Sequence, residues 1–346
     1  MSATINSKQP GQASSANKSS VTLGTTIYSF TNEWLSRRYT LDQMVEKVAE
    51  LEIGPGIEVV GFQSFRGFPT VTDEFAEHFR ALLERLELTP TCLSGNMDTG
   101  IRPDRVMTVE EAVAYIEPQI EAAKKLGFPV LRIQALAGPE VMKRLAPAAE
   151  QAQVQVACEL HSPLTPDNPE VIELRECYDR VGSPYLGFVP DFSCSMKQVP
   201  EGYWTNLGRA GAPEALIETA REIWHSDNPT GAKFGALAAA GGQYGADPGL
   251  MGSLNLAMTM FGHMPVDAWR EILPYTRHIH GKFYAVDTSG SEPSIPYREI
   301  MELLKETGYR GSISAEWEGS MFNEEENVGF KEVQRWHAMV RQLLAQ

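Results

Sequence analysis

After residue 20, segments typical of β-strands alternate with segments typical of helices, and the alternation recurs eight times. The predicted strands are 21–30, 56–62, 89–96, 129–135, 153–161, 185–193, 278–286 and 311–319. The intervening segments repeat apolar residues at helical spacing, and two of them begin with capping boxes, Thr40 with Gln43 and Thr108 with Glu111. Eight successive β–α units predict an α/β fold, the (β/α)8 TIM barrel.

A doubly wound parallel sheet also alternates strands and helices, so it is the main alternative. Such sheets usually carry a glycine-rich phosphate turn after the first strand, and LGTTIYSFTNEW contains none. Without a roughly 20-residue N-terminal tail and roughly 60 residues of one long insertion, the chain keeps about 266 residues, near the ~250 typical of a TIM barrel. The barrel is therefore the better prediction.

The chain divides into a tail, a barrel and an insertion. Residues 1–20 are rich in Ser, Asn and Gln and lack an apolar core, which predicts a disordered tail and no signal peptide. Residues 21–346 form the predicted barrel. More than 80 residues separate Asp191 from His278, far more than a βα loop requires. We predict that this insertion after strand six, at about 194–275, forms a lid or a partner surface.

Composition excludes several classes of function. The chain has 30 Lys and Arg against 45 Asp and Glu, a net charge of −15, and no basic runs. This balance argues against nucleic acids and anionic membranes as partners. No apolar segment reaches the length of a membrane span. Four widely spaced cysteines indicate reduced thiols, so we expect a cytoplasmic protein.

Four polar side chains stand near the C-terminal ends of consecutive predicted strands. They are Glu159, Asp191, His280 and Glu316, on strands five to eight. In a barrel these ends converge on the face where catalysis occurs. Three carboxylates and one imidazole would suit Mg²⁺ or Mn²⁺, with the imidazole favouring Mn²⁺. The alternative is a set of rim residues paired with arginines.

Two neighbours are candidates for acid–base or electrostatic catalysis. His161 lies two residues after Glu159, on the same strand face, and could act as a general base or acid. Lys282 lies two residues after His280 and could stabilise an oxyanion or carry a proton. For both, a purely structural or solvated role is the competing interpretation.

Five further residues received weaker assignments. We expect His278 to lie deeper and to support the site, and Glu318 is an alternative to Glu316 as a ligand. Arg132 could neutralise the carboxylates or hold substrate hydroxyls. Trp317 and Trp204 could stack on a ligand, although aromatic residues more often pack in the interior.

Several segments together resemble a known family. These are AAKKLGFPVLRI, CELHSP, VPDFS, HIHGKFY and YREIMELLKETGYRGSISAEWEG. They are similar to the xylose isomerase-like barrels of sugar phosphate isomerases and epimerases, over most of residues 21–345 outside the insertion. The resemblance implies metal ligands at the ends of strands five to eight, and the matching positions here are Glu159, Asp191, His280 and Glu316.

The tail, the long segment after strand six, HGKFY and EWEG look most like the α subunits of carbon-glycoside deglycosidases. That resemblance implies a Mn²⁺-dependent enzyme, with Mg²⁺ or Co²⁺ as alternatives, working beside a small β subunit. It implies a 3-oxo-glycoside substrate that loses its C2 proton and expels the aglycone from C1. Our prediction is therefore a metal-dependent carbon–carbon lyase in which His161 is the base.

Three other functions are known for barrels of this kind or compatible with one. A sugar isomerase or epimerase, in which Glu159 and Glu316 exchange the proton, is the runner-up. A catalytically silent barrel that serves as a scaffold or sugar-binding subunit predicts that metal does not matter. Endonuclease IV-like repair enzymes share the barrel, but their three-zinc site requires more histidines than the seven in this chain.

Overall fold

The computed structural model describes residues 21–98, 100–323 and 327–346, and the predicted tail at 1–20 lies outside them. In these ranges eight strands form a single parallel sheet. The strands are β1 (Thr22–Thr26), β2 (Gly56–Val60), β3 (Thr89–Gly95), β4 (Val130–Ile133), β5 (Gln155–Leu160), β6 (Leu186–Pro190), β7 (Ile279–Phe283) and β8 (Ser312–Trp317). Each falls inside a predicted strand, which confirms the eight-unit interpretation.

The sheet curves into a nearly closed barrel. Its order is β6-β5-β4-β3-β2-β1-β8-β7, so the first and last strands of the chain are neighbours. Between β6 and β7 the ladder is reduced to isolated bridges, Phe188 with Thr276 and Asp191 with His280. The (β/α)8 TIM barrel is therefore confirmed, with its one weak seam at β6 and β7.

Helices surround the barrel and bury their apolar faces against it. Two begin with the predicted capping boxes at Thr40 and Thr108. The helices are α1 (Thr31–Leu35), α2 (Leu41–Glu50), α3 (Gly61–Ser64), α4 (Asp73–Arg85), α5 (Val109–Leu126), α6 (Pro139–Ala152), α7 (Pro169–Val181), α8 (Glu201–Arg209), α9 (Glu214–His225), α10 (Thr230–Tyr244), α11 (Pro248–Met260), α12 (Tyr297–Glu306) and α13 (Val328–Ala345). The four cysteines are buried and free.

Two local predictions were wrong in extent. The first strand ends at Thr26 rather than at residue 30, because Thr26 Oγ1 accepts a hydrogen bond from Tyr28 N and starts a 3-10 turn at Ile27–Phe30. The segment PVDAWREILPYT before β7, at 265–276, also predicts a helix, but it forms two short 3-10 helices, Val266–Glu271 and Leu273–Tyr275. Pro274 lacks the N–H that a continuous helix would require.

The insertion after β6 contains α8 to α11 and returns to the barrel beside its point of departure. Residues 262–264 form backbone hydrogen bonds of 2.7–2.8 Å with residues 193–196. Gly262 permits this close approach, because a Cβ there would lie 2.7 Å from Cys194 O. The end of α11 is thereby fixed next to the C-terminal end of β6. In the described part of the chain, no helix has both the length and the apolar character needed to cross a bilayer.

The loop after β7 is closed by a buried carboxyl group. Glu292 is 6 % exposed, and its Oε2 accepts hydrogen bonds from the backbone N–H groups of Ser294, at 2.7 Å, and Ile295. Burial raises the pKa of Glu292 to about 8. Because an unfolded glutamate ionises near pH 4.3, the folded chain holds this proton over a range in which the unfolded chain has lost it.

We expect the Glu292→Gln variant to lose less stability than wild type as the pH rises. Since the folded pKa is the higher one, the contribution of Glu292 is complete below about pH 4.3 and disappears as the pH rises through 8. Between pH 5 and 8.5, the free energy of unfolding measured with urea should therefore fall more in wild type than in the variant. The difference should be on the order of a few kcal/mol. Exposed Glu302→Gln is the control, and equal pH slopes for E292Q and wild type would contradict the prediction.

Candidate active site

The four predicted ligands converge at the C-terminal end of the barrel. Glu159, Asp191, His280 and Glu316 each place one donor atom within 4.8 Å of the others. His280 Nδ1 lies 2.7 Å from Glu159 Oε1, 3.2 Å from Glu316 Oε2 and 3.9 Å from Asp191 Oδ2. Four side chains from positions 159 to 316 thus surround one small volume.

Strand register explains this convergence. Asp191 bridges His280 across the seam, and Lys282 pairs with Glu316 between β7 and β8. Glu159 is the second-last residue of β5, the neighbour of β6, and is in register with Val189. Side chains at alternate positions point into the barrel, so these strand ends direct their polar groups to a common centre.

Because the cluster is buried, the charge of each side chain strongly affects the pKa values of its neighbours. All four side chains are at most 5 % exposed. Burial opposes ionisation of Glu159, but Arg132 and His280 outweigh it and lower the pKa of Glu159 to about 2. Lys282 and His161 likewise hold the pKa of Asp191 below its usual value. Burial raises the pKa of Glu316 to about 7, with repulsion from Asp191 and Glu159 adding to the shift.

The cluster supplies the ligand atoms that a divalent cation requires. Asp191 Oδ2 and Glu316 Oε2 are buried and make no hydrogen bond within the described residues, and their contact with Lys282 is an ion pair. Three carboxylates and one imidazole form an oxygen-rich set suited to Mg²⁺ or Mn²⁺. A cation among them would also relieve the repulsion that raises the pKa of Glu316. The four residues therefore fit a metal ion.

A fourth carboxylate, Glu58 on β2, lies beneath the cluster and was not predicted from the sequence. Its Oε1 is 2.9 Å from His280 Nε2, and its Oε2 is 3.1 Å from His278 Nε2. Although burial opposes its ionisation, the two histidines hold the pKa of Glu58 well below its usual value. The Nε2–H of His280 then donates to Glu58, so Nδ1 is the ring nitrogen that faces the other three ligands. His278 supports the site from below, as expected.

Lys282 lies on the opposite side of the cluster from Glu58. Its Nζ is 3.2 Å from both Asp191 Oδ2 and Glu316 Oε2, and 3.0 Å from Glu318 Oε1. Burial disfavours the ammonium, but these three carboxylates outweigh it and raise the pKa of Lys282 well above its usual value. A lysine held in the charged form suits stabilisation of negative charge rather than proton abstraction.

His161 lies at the rim of the cluster, half-buried. Its Nδ1 is 2.9 Å from the backbone oxygen of Ser162. A carbonyl oxygen only accepts hydrogen bonds, so Nδ1 carries the proton and Nε2 of the neutral ring keeps a free lone pair. The positive form of His161 lowers the pKa of both Glu159 and Asp191, which indicates that the ring lies near them.

The remaining predicted residues take supporting positions. Arg132 Nη2 is 3.7 Å from Glu159 Oε1, so it offsets charge as expected. Glu318 is separated from the four ligands by Lys282, which argues against its replacing Glu316. Trp317 and Trp204 are at most 2 % exposed and pack in the interior, so the suggestion that they stack on a ligand was wrong.

Comparison with known proteins agrees with this architecture. The family model for the xylose isomerase-like TIM barrel matches residues 45–215. The C-glycoside deglycosidase alpha subunit of Arthrobacter globiformis is 40 % identical over 313 residues, 87 % of this chain and 84 % of that protein. The 3'-dehydrocarminate deglycosidase alpha subunit of a Microbacterium species is 34 % identical and covers 94 % of this chain and 95 % of its own. D-psicose 3-epimerase from Clostridium cellulolyticum H10 shares the fold, with a TM-score of 0.58, 15 % identity and coverage of 94 % and 99 %.

The barrel and its buried cluster of acidic residues and histidine therefore define an enzyme of the xylose isomerase-like TIM barrel class. Three deglycosidase alpha subunits are 34–40 % identical to the chain over nearly its whole length, which identifies a smaller family within this class. The chain belongs to the family of C-glycoside deglycosidase alpha subunits.

Proposed function

We propose that this protein is a Mn²⁺-dependent deglycosidase that acts on 3-oxo-glycosides and cleaves the bond between C1 of the sugar and its aglycone. The observation that carries the proposal is the convergence of Glu159, Asp191, His280 and Glu316 on one volume, in a chain 40 % identical to a C-glycoside deglycosidase alpha subunit. When bound, the cation would polarise the sugar carbonyl and make the neighbouring C2 proton acidic.

His161 and Lys282 carry out the proton transfer and the stabilisation of charge. His161 Nε2 takes the C2 proton, and the C–H electron pair passes into an enolate with the 3-oxo group. As the C1–aglycone bond breaks, a C1=C2 double bond forms, and the bond's electron pair leaves with the aglycone carbon, which takes up the proton held by His161. Lys282 faces the ligand carboxylates as an ammonium and stabilises the developing negative charge.

We also propose that the chain works beside a small β subunit and contacts it through the insertion. Relatives are named alpha subunits, a name that implies a second chain. Over residues 228–262 the only charged residues are Lys233 and Asp247. The solvent side of α10 and α11 is mostly Gly and Ala, with Leu256 41 % exposed. Such a charge-poor surface is typical of a protein contact.

The test combines manganese, a partner subunit from a related system and a 3-oxo-C-glycoside. We expect aglycone release, and we expect His161→Gln to lower kcat by roughly 10²–10⁴-fold because the base is lost. The manganese content of H161Q should remain one equivalent, since His161 is outside the four ligands. Exposed His78→Gln is the matched control and should retain full activity.

Two outcomes would contradict the proposal. If the wild type releases no aglycone but interconverts ketoses rapidly, the runner-up isomerase or epimerase replaces it. If H161Q releases aglycone at the wild-type rate, the proton is taken by another group. A C2-deuterated substrate tests the step itself, because aglycone release by the wild type should slow with deuterium if removal of the C2 proton limits the rate.

A further inference from the structure

One tyrosine next to the cluster has no assigned role. Tyr284 is 2 % exposed, and its hydroxyl is buried and makes no hydrogen bond within the described residues. Buried phenol groups are nearly always paired, because a hydroxyl withdrawn from water without a partner is costly. Glu318 Oε2 is also buried and makes no hydrogen bond within the described residues. Tyr284 and Glu318 directly follow the neighbouring strands β7 and β8.

Strand geometry places them on the same level of the barrel. His280, Lys282 and Tyr284 alternate along β7 and its continuation, so all three face inward. Lys282 pairs with Glu316 and Phe283 with Trp317, and Glu318 N donates to Phe283 O at 3.0 Å. Tyr284 and Glu318 are therefore opposite each other, at the next inward-facing position along their strands after Lys282 and Glu316.

The electrostatics indicate that the Tyr284 hydroxyl faces the active site. Burial is the main reason that the pKa of Tyr284 lies well above its usual value, and the charges that act on it are those of Glu318, Lys282, Asp191 and Glu292. Of these, Asp191 is one of the four predicted ligands, and Lys282 and Glu318 lie beside the ligands. Glu318 also accepts a hydrogen bond from Tyr28 Oη at 3.2 Å, through Oε1, which leaves Oε2 as its open atom.

The ring of Tyr284 is held in place. Phe261, at the end of α11, contacts it edge-on with centroids 5.4 Å apart, and Phe322 stacks against it at 6.1 Å. Its backbone oxygen accepts a hydrogen bond from Trp317 Nε1 at 2.9 Å. A ring packed on both sides keeps its hydroxyl at a fixed position, so the missing partner must come to the hydroxyl.

We propose that Tyr284 and Glu318 together bind a hydroxyl group of the sugar ring. A sugar hydroxyl both donates and accepts, so one such group accepts from Tyr284 Oη and donates to Glu318 Oε2. The pair lies two residues along the strand from Lys282 and Glu316, roughly 6–7 Å further from the barrel floor. A pyranose whose oxygens at one edge face the cation reaches this level with its opposite edge.

This inference rests on the proposed function for the orientation of the sugar, but not for sugar binding itself. It assigns Tyr284 as a substrate-binding residue and Glu318 as its partner. It also explains why Glu318, rejected as a metal ligand, is buried with one oxygen open.

The test is calorimetric titration of 3-oxo-D-glucose and D-glucose into manganese-loaded protein. We expect Tyr284→Phe to raise the dissociation constant of the better-bound sugar about tenfold, the effect of one lost hydrogen bond. Manganese content should be unchanged. Because the hydroxyl has no partner in the free protein, Y284F should unfold at a temperature equal to or above that of wild type, whereas a structural tyrosine would lose stability.

Tyr203→Phe is the matched control, since Tyr203 Oη donates to Ser253 O inside the insertion, and its sugar affinity should equal that of wild type. Glu318→Gln provides a second variant with the same expected weakening. Equal affinities of Y284F and wild type, or no sugar binding by wild type, would overturn the inference. Sugar binding that Y284F weakens, without aglycone release by wild type, would reject the proposed function and leave the inference standing.

Discussion

Glu159→Gln should abolish manganese binding and aglycone release together. The substitution keeps the size of the side chain but removes one of three ligand carboxylates, and it leaves Arg132 3.7 Å away without its anion. Changes to groups that only orient ligands lower metal affinity 10–100-fold, so loss of a ligand should lower it by more, on the order of 10³-fold. Elemental analysis after dialysis measures the stoichiometry, which should fall from one equivalent to near zero.

The control for this variant is Glu150→Gln, which makes the same chemical change on the exposed side of α6. It should bind one equivalent of manganese and release aglycone at the wild-type rate. If E159Q keeps its metal and its activity, the proposed ligand set is wrong. The silent-scaffold hypothesis, in which metal does not matter, would then regain support.

The second large effect concerns stability and the buried carboxylate beneath the site. Glu58→Leu should lower the free energy of unfolding by about 3–5 kcal/mol, because it leaves the imidazolium of His280 buried without one of its counter-ions. Urea unfolding of metal-free protein measures the change. The double variant E58L/H278L should recover part of the loss, since it also removes the second ring that hydrogen-bonds to Glu58.

Glu58→Gln tests the same carboxylate in a protein whose core volume is preserved. Without the carboxylate that accepts a hydrogen bond from Nε2, the Nδ1 of His280 should become a weaker ligand, and manganese affinity should fall 10–100-fold. A stability of E58L within 1 kcal/mol of wild type, or unchanged metal affinity in E58Q, would show that Glu58 neither supports the fold nor orients His280.

Much of this arrangement was predictable, because a TIM barrel links sequence position to spatial position closely. A residue near the end of a barrel strand lies at the catalytic face, and alternation decides whether it points inward. Glu159, Asp191, His280 and Glu316 satisfy both conditions, so their convergence follows from the strand boundaries alone. The alternation of positions 280, 282 and 284 also contained the signal for Tyr284.

Glu58 was not predictable in the same way. One acidic residue within GIEVV is as consistent with solvent exposure as with burial, and its partners His278 and His280 are 220 and 222 positions away. The helices α10 and α11 were missed for a different reason. Their sequences are rich in Gly and Ala and lack the polar and apolar faces that mark a helix, so the sequence alone indicates only a small-residue, apolar stretch.

The weak seam of the barrel has a consequence for the proposed holoenzyme. Asp191 and His280 stand on its two sides, where single bridges replace a continuous ladder. An ion held by both would act as a clasp between β6 and β7 and complete a ring that the backbone leaves open. It would also hold the two ends of the insertion at a fixed distance. Binding of a second chain to α10 and α11 and binding of the metal ion would then each raise the affinity for the other.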